Sequence, residues 1–262
     1  MKEGRLRLEG KVAIVTGAGS RGPGVGNGKA TAILFAREGA KVLLVDRVAE
    51  RLQEPLELIT AEGGEASVFA ADVTKVADCQ AMVATAVERY GRLDILHNNV
   101  GIESKGSVVD MELAEWDNVM EVNLKSVMLA SRFAIPRMID SGGGAIINIS
   151  SVSAFRPRGL DAYTTSKGGV IALTRAMAVT HAHDHVRVNC IAPGTVYTPM
   201  VAEWMTEEVR ERRRMDTLLQ TEGTAWDVAW AAVYLASDEA RWVTGIVIPV
   251  DGGLLLTRRQ TW

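Results

Sequence analysis

Lys11-Val-Ala-Ile-Val-Thr-Gly-Ala-Gly-Ser-Arg-Gly-Pro-Gly-Val-Gly-Asn-Gly-Lys29 carries a β-branched run straight into a glycine-dense loop. The run Lys11–Val15 reads as a strand, and the apolar spacing of Ala30–Glu38 reads as the helix that follows. Glycines let a backbone come close to a pyrophosphate, and the next helix offers free amides and the positive end of its dipole. The string holds a literal GxGxxG, Gly17-Ala-Gly19-Ser-Arg-Gly22, which would start the helix near Pro23. That register puts Gly24, Gly26 and Gly28 in the first turns at about 1 kcal/mol each relative to alanine, so a start near Asn27 is expected instead. Asn27 is then a candidate cap and Ser20 a candidate phosphate donor. A flexible loop serving only as a turn is the plainer alternative.

The same alternation continues along the chain. Lys41–Val45, Ala66–Phe69, Leu93–Leu96, Ala145–Ile149, Arg187–Ile191 and Ile246–Ile248 read as further strands, several without in-out alternation. Between them Val76–Tyr90, Glu115–Met138, Ala162–Thr180 and Trp226–Ala236 carry apolar residues at helical spacing. The expectation is an α/β fold of Rossmann type, a doubly wound and predominantly seven-stranded parallel sheet with helices on both faces. One domain over residues 1–262 suffices. The irregular stretch from Pro193 to about Gly223 includes a short amphipathic piece at Val201–Met205. It falls beyond the carboxyl end of a strand, where such sheets keep ligands and lids, and 195–223 is expected to be a substrate lid.

Composition narrows the function classes. A net charge of −3 at pH 7 leaves no basic surplus for nucleic acid. The opening MKEGRLRLEG lacks the apolar stretch of a signal peptide, and no run reaches the length of a membrane span. Cys79 and Cys190 show no CxxC or zinc spacing, which suits free thiols in a reducing compartment. A cytoplasmic protein without nucleic-acid or membrane partners is expected.

Two further sites carry chemistry. Asp46 closes the second strand, where a carboxylate accepts from adenosine ribose hydroxyls and repels a 2′-phosphate, favouring NAD over NADP. Arg47 and Arg21 are nearby cations that blur this choice or are simply solvated. In Tyr163-Thr-Thr-Ser-Lys167 the phenol and ammonium share a helix face one turn apart. A nearby cation favours phenolate, making the pair a proton donor and acceptor at neutral pH. Alone, such spacing as often marks a half-exposed helix face.

With these residues in place, the chain resembles the short-chain dehydrogenase/reductase (SDR) family over almost its whole length. Thr16-Gly17 with Gly26-Asn27-Gly28 looks like that family's TGxxxGxG, interrupted by an insertion and with Asn27 in place of the usual isoleucine. Asp72-Val73 matches its adenine-contacting pair, and Asn98-Asn99-Val100-Gly101 resembles NNAG with valine for alanine. Asn123 matches the catalytic asparagine, Pro193-Gly194 with Val196 and Thr198 the nicotinamide-holding turn, and Val250-Asp251-Gly252-Gly253 the C-terminal signature. The resemblance implies an NAD-dependent oxidoreductase acting on a secondary alcohol or ketone of small to medium size. It implies a cofactor set of Gly17, Ser20, Gly26, Asn27, Gly28, Asp46, Arg47, Asp72, Val73, Asn99, Val100, Gly101, Tyr163, Lys167, Pro193, Gly194, Val196 and Thr198.

In that mechanism Ser151 hydrogen-bonds the substrate oxygen and Tyr163 exchanges its proton. Lys167 holds the ribose and depresses the tyrosine pKa, and Asn123 holds a water linking Lys167 to solvent. The family's usual serine-to-tyrosine spacing selects Ser150, whereas aligning the strand Ile146–Ile149 selects Ser151. The strand is the better guide, because loops absorb deletions more readily, and Ser150 and Ser153 are then structural. The family's divergent enoyl reductases have a longer glycine spacing too, but separate tyrosine and lysine by more than one turn. The rival readings are a β-ketoacyl thioester (ACP or CoA) reductase and a non-catalytic dinucleotide-sensing or scaffold protein.

Other features are weighed against plain explanations. His181-Ala-His183-Asp-His185 spells like a metal site, but only His181 and His185 would share a helix face, and no metal is expected. Arg210-Glu-Arg-Arg-Arg214 either grips an anionic substrate group or is a solvated face balanced by Glu203, Glu207, Glu208 and Glu211. Trp204 and Met205 line an apolar pocket, pack in the core or make a subunit contact. Arg156, Arg158, Leu160 and residues Ile102–Lys105 border the substrate pocket by the family's layout, with plain surface loops as the equal alternative for each side chain. The resemblance also implies a homodimer or homotetramer, with Glu115–Met138 and Ala162–Thr180 in one contact and the tail Leu254–Trp262 in another.

Overall fold

A computed structural model describes residues 6–202 and 205–257. Glu203 and Trp204 of the expected lid lie outside the described residues, as do residues 1–5 and the tail from 258 on. The strands are β1 (Val12–Thr16), β2 (Lys41–Asp46), β3 (Ala66–Ala70), β4 (Ile95–Asn98), β5 (Gly144–Ile149), β6 (Val186–Pro193), β7 (Val196–Tyr197), β8 (Gly223–Thr224) and β9 (Val247–Val250). The helices are α1 (Asn27–Arg37), α2 (Gln53–Ala61), α3 (Val76–Tyr90), α4 (Leu113–Met120), α5 (Ser126–Asp140), α6 (Asp161–His181), α7 (Pro199–Ala202), α8 (Glu207–Met215) and α9 (Ala225–Ala236).

Seven strands form one parallel sheet in the order β3-β2-β1-β4-β5-β6-β9. The missing in-out alternation is explained by burial on both faces. In β1, Ala13 and Val15 enter the core packed by α1 and α9, while Ile14 enters the core packed by α3 and α5. Strand β2 splits the same way, Val42 and Leu44 on one side and Leu43 and Val45 on the other. Strand order reverses between β1 and β4, so a crevice opens beyond their carboxyl ends.

Three elements depart from the expectation. Helix α2 was not anticipated, because Pro55 and alternating Glu residues mask its short apolar face of Pro55 and Ile59. The two-stranded pair β7–β8, in the irregular stretch, is too short to give a periodic signal. The expected helix Glu115–Met138 is three pieces, with α4 and α5 joined by a π turn at Glu121–Lys125. Such wider turns concentrate at functional sites, and this one contains Asn123.

Buried amides tie the sheet to its covering helices. Asn98 Nδ2 donates to Asn148 Oδ1 at 2.9 Å, and Asn148 Nδ2 donates to Thr174 Oγ1 at 2.9 Å, linking β4, β5 and α6. Asn148→Ala strands the Asn98 donor, and chemical denaturation is expected to show a loss of about 1–3 kcal/mol. A loss below about 0.5 kcal/mol, the range of ordinary surface changes, would show that the chain is not a structural link.

Candidate active site

The crevice is a cleft of about 610 Å³ lined by the carboxyl ends of β1, β2, β4, β5 and β6 and the loops beyond them. Its floor is the glycine loop. A Cβ on Gly28 would lie 2.0 Å from the Gly17 carbonyl oxygen, so α1 packs against the end of β1 at a distance only glycine permits. A Cβ on Gly19 would lie 2.6 Å from Arg51 Cβ and 3.0 Å from Asp46 Oδ2, filling the space between loop and carboxylate. Ser20 Oγ accepts from Gly26 N at 3.3 Å and folds the loop back on itself.

Helix α1 starts at Asn27, as the glycine cost predicts, but Asn27 is not its cap. Gly26 occupies that position and no side chain caps the helix, because Asn27 is already helical and cannot reach forward as a cap does. Its Oδ1 is buried without a protein partner while the residue lines the cleft. The insertion is anchored at both ends. Arg21 Nη2 donates to the Gly101 carbonyl at 3.0 Å, and Lys29, 1% exposed, pairs with Glu54 at 2.5 Å and approaches the Gly24 carbonyl at 3.4 Å. A cradle closed to side chains, with an unpaired amide oxygen in its wall, fits the phosphates and ribose of a dinucleotide.

Asp46 sits at the end of β2 with Oδ1 accepting from Val48 N at 3.1 Å, and it lines the cleft with Arg47 and Arg51. Arg51 and Gly19 were missed from sequence. Arg51 is carried by a 3₁₀ turn, Ala49–Leu52, that leads into the unanticipated α2. Asp72 and Val73 follow β3. Burial works to raise the Asp72 pKa, but hydrogen bonds from Thr74 N and Oγ1 outweigh it and hold the carboxyl below its usual range.

At the other end, Tyr163 and Lys167 rise from the first two turns of α6. Lys167 is 4% exposed, with Nζ donating to the Ile149 carbonyl at 2.9 Å and lying 5.8 Å from the Tyr163 ring centre. Burial pulls its pKa down to about 8. The expected depression of the tyrosine pKa is not found. Burial raises the Tyr163 pKa, the facing Ser151 hydroxyl opposes this, and the charge of Glu103 adds to it. The lysine, itself costly to charge, does not reverse the balance.

Of the three serines, Ser151 is the one that faces the phenol. Its Oγ accepts from Ser153 N at 3.1 Å, capping the 3₁₀ turn Val152–Ala154, so the hydroxyl is held and its hydrogen is directed elsewhere. Ser150 Oγ instead donates to the Lys167 carbonyl at 2.8 Å. Asn123 is fully buried and does not line the cleft. Its Oδ1 accepts from Ile102 N at 2.8 Å, and its Nδ2 donates to the Ile102 carbonyl at 2.9 Å and to Ser166 Oγ at 3.0 Å. These bonds fix the side chain and use one of the two lone pairs of its Oδ1.

The eighteen residues expected for the cofactor, Gly17 to Thr198, all line this one cleft. The arginine run divides. Arg210 is bidentate to Glu222 at 2.5 and 2.6 Å and stacks 4.3 Å over Tyr197, and Arg214 pairs with Glu211, whereas Arg213 lines the cleft with Arg158. Arg156 turns away and donates to the Leu254 carbonyl and Thr257 Oγ1, both at 2.8 Å. His185 is outside the helix with a left-handed backbone, so His181 and His185 share no face; His181 bonds Asp184 at 2.9 Å. Among the described residues no group of three or more His, Cys, Asp or Glu is assembled to hold a metal. Both cysteines are buried free thiols, and no helix of the described residues is long and apolar enough to cross a membrane.

The profile of a family described as Enoyl-(Acyl carrier protein) reductase matches residues 24–255. The 3-oxoacyl-(acyl-carrier-protein) reductase FabG of Thermotoga maritima is 39% identical over 252 residues, covering 96% of this chain and 100% of that protein. A crystal structure of a Burkholderia xenovorans protein described as a short-chain dehydrogenase/reductase is 44% identical with a TM-score of 0.92, over 96% of this chain and 99% of that one. A 7α-hydroxysteroid dehydrogenase complexed with NADH and 7-oxo glycochenodeoxycholic acid is 34% identical with a TM-score of 0.89, over 95% and 96%.

The buried ammonium sets a pH dependence of stability. Between about pH 8 and the unfolded lysine value near 10.4, the unfolded chain holds this proton and the folded chain does not, so stability rises with pH. Below pH 8 the folded chain carries the whole penalty. Relative to Lys167→Met, the wild-type protein is expected to gain about 1.4 kcal/mol per pH unit across that window in denaturant titrations. A difference that stays flat with pH would contradict the depressed lysine pKa.

Proposed function

This chain belongs to the short-chain dehydrogenase/reductase family, and from that premise we propose that it transfers a hydride between NAD(H) and a secondary alcohol or ketone of small to medium size. The reading rests on one observation: Ser151 and Tyr163 face each other in the cleft whose opposite end is the glycine cradle, with the Lys167 ammonium beside them. The cradle residues and Asp46 hold the dinucleotide, and bound nicotinamide supplies the hydride donor or acceptor. Ser151 directs its hydroxyl at the substrate oxygen. In reduction Tyr163 gives that oxygen a proton as the carbonyl carbon gains the hydride, and in oxidation it takes the carbinol proton. Lys167 offsets the phenolate charge that the first of these leaves. Asn123 is a positioning residue, clamping Ile102 and Ser166 on either side of the site.

Asp46 at the ribose position supports NAD as the cofactor, as does the NADH bound by the hydroxysteroid dehydrogenase relative. Arg21, Arg47 and Arg51 in the same wall are the features that favour NADP. The FabG relative supports a second reading, reduction of a thioester ketone. Of the arginines that would make its carrier contact, Arg210 and Arg214 are committed to Glu222 and Glu211, which leaves exposed Arg212. Enoyl reduction, named by the matched profile, fits less well than carbinol chemistry, since two hydroxyls converge where one oxygen would sit.

In this reading one domain carries the whole reaction, with 195–223 as its lid; Met200, Val201 and Arg213 in the cleft wall support that role. A homodimer or homotetramer in the cytoplasm completes the proposal, supported by the apolar groove of Met120, Leu124, Met128 and Leu173 along α4–α6. Tyr163→Phe is expected to cut turnover of secondary alcohols by about 10²–10⁴-fold while NADH affinity, measured by calorimetry, is unchanged. Retained turnover would remove the proton-transfer role.

A further inference from the structure

We propose that Ser104 is a second recognition point for the substrate, which then bears a further hydroxyl or carbonyl oxygen besides the one at the reacting carbon; this rests on the oxidoreductase reading above. Ser104 is 3% exposed, and its Oγ is buried with no hydrogen-bond partner among the described residues. The residue nevertheless belongs to the cleft wall that holds Ser151, Leu160 and Tyr163. Buried hydroxyls nearby are committed within the fold: Ser150 Oγ donates to the Lys167 carbonyl at 2.8 Å and Ser166 Oγ to the Tyr163 carbonyl at 2.7 Å. A hydroxyl taken from water without a new partner costs free energy, and folded proteins keep few of them. In the wall of a substrate cleft, the partner that recovers this cost is a ligand oxygen.

The segment that carries Ser104 is fixed on both sides. Before it, the Asn123 amide clamps Ile102 by bonds of 2.8 and 2.9 Å. Beyond it, Gly106 pairs with Leu160, and Val108 N donates to Asp161 Oδ2 at 2.9 Å. Leu160 and Asp161 lead directly into Tyr163 on α6. Ser104 therefore stands on a short span pinned to the turn that presents the phenol, and the charge of its neighbour Glu103 is close enough to act on that phenol. A span held in this way needs little ordering when a ligand arrives. A serine hydroxyl turns between staggered wells, so an oxygen seated against this wall can recruit it. It both donates and accepts, and so reads a carbonyl or a hydroxyl. Glu103 and Lys105, which flank it in the wall, carry opposite charges. Their fields oppose one another, and a neutral oxygen is the partner the position fits.

The test uses straight-chain secondary diols, vicinal at first and then with a growing number of carbons between the hydroxyls. Each is paired with the secondary alcohol that lacks the second hydroxyl. Affinity for the NADH-loaded protein is measured by calorimetry, and turnover with NAD. At the best spacing the diol is expected to exceed its alcohol by about ten- to a hundredfold in affinity and in kcat/KM, the effect of one buried hydroxyl gaining its partner. Ser104→Ala should bring that ratio close to one through KM rather than kcat, with NADH affinity unchanged and no lowering of the denaturation midpoint. Ser104→Cys, close in size but a weaker donor and acceptor, should reduce the ratio as well. Equal use of diol and alcohol by the wild type, a preference that survives both substitutions, or no binding of any diol would overturn the proposal. So would a lowered midpoint or loss of folding in Ser104→Ala, which would show that the hydroxyl already serves the fold. Diol binding that is lost in the variants, without any turnover, would instead sustain the recognition point and sink the oxidoreductase reading.

Discussion

A lysine ammonium withdrawn from water is the constraint around which the cleft is arranged. Lys167 is nearly inaccessible, and the Ile149 carbonyl at the end of β5 is the protein acceptor that holds it. That bond is available only because β5 ends where α6 crosses, and the Ser150 hydroxyl fixes the crossing by donating to the Lys167 backbone carbonyl. The buried Asn98–Asn148–Thr174 chain holds the same strands and helix one layer below. Tyr163, one turn back along α6, is thereby presented to Ser151. Burial costs the lysine part of its basicity and raises the phenol pKa, so the resting cleft favours the protonated tyrosine. Such a site is poised to donate a proton to a carbonyl, and removing a carbinol proton becomes easier as pH rises.

Charge is distributed unevenly along the cleft. The end near β2 and β3 mixes Asp46 and Asp72 with Arg47 and Arg51, whereas the end near α8 gathers Lys105, Arg158 and Arg213 around Glu103. A dinucleotide and a substrate bound as proposed would meet different fields within one cavity, with the uncharged Ser151 hydroxyl between them. The insertion in the glycine loop does not open the cradle. Arg21 crosses from it to the Gly101 carbonyl, and buried Lys29 ties it to α2 through Glu54.

The sheet was legible because its inner strands are buried on both faces and so spell short apolar runs between helical patterns; all seven runs, those of the partly exposed edge strands β3 and β9 included, became strands of the parallel sheet. The residues around Gly17, Asp46, Tyr163 and Lys167 were legible for a related reason. Their spacing is fixed by local geometry, a strand end or one helical turn, and local geometry is what sequence spacing encodes. What escaped depended on tertiary packing. The clamp of Asn123 on the Ile102 backbone depends on the π turn, which spacing alone does not reveal. Arg210 and Arg213, three apart on α8, look alike in sequence, yet one meets Glu222 across the loop and the other meets the cleft. The tyrosine pKa went the other way because burial, which no single residue reports, outweighs the lowering by the Ser151 hydroxyl.

Parallel calorimetric titrations of the wild-type protein with NADH and NADPH test the account most directly, since everything proposed for the cleft requires a dinucleotide along its floor. Saturable binding of NADH, one per chain, with NADPH bound more weakly, is the predicted result. Binding of neither would contradict the cofactor site itself, and tighter binding of NADPH would contradict the role given to Asp46.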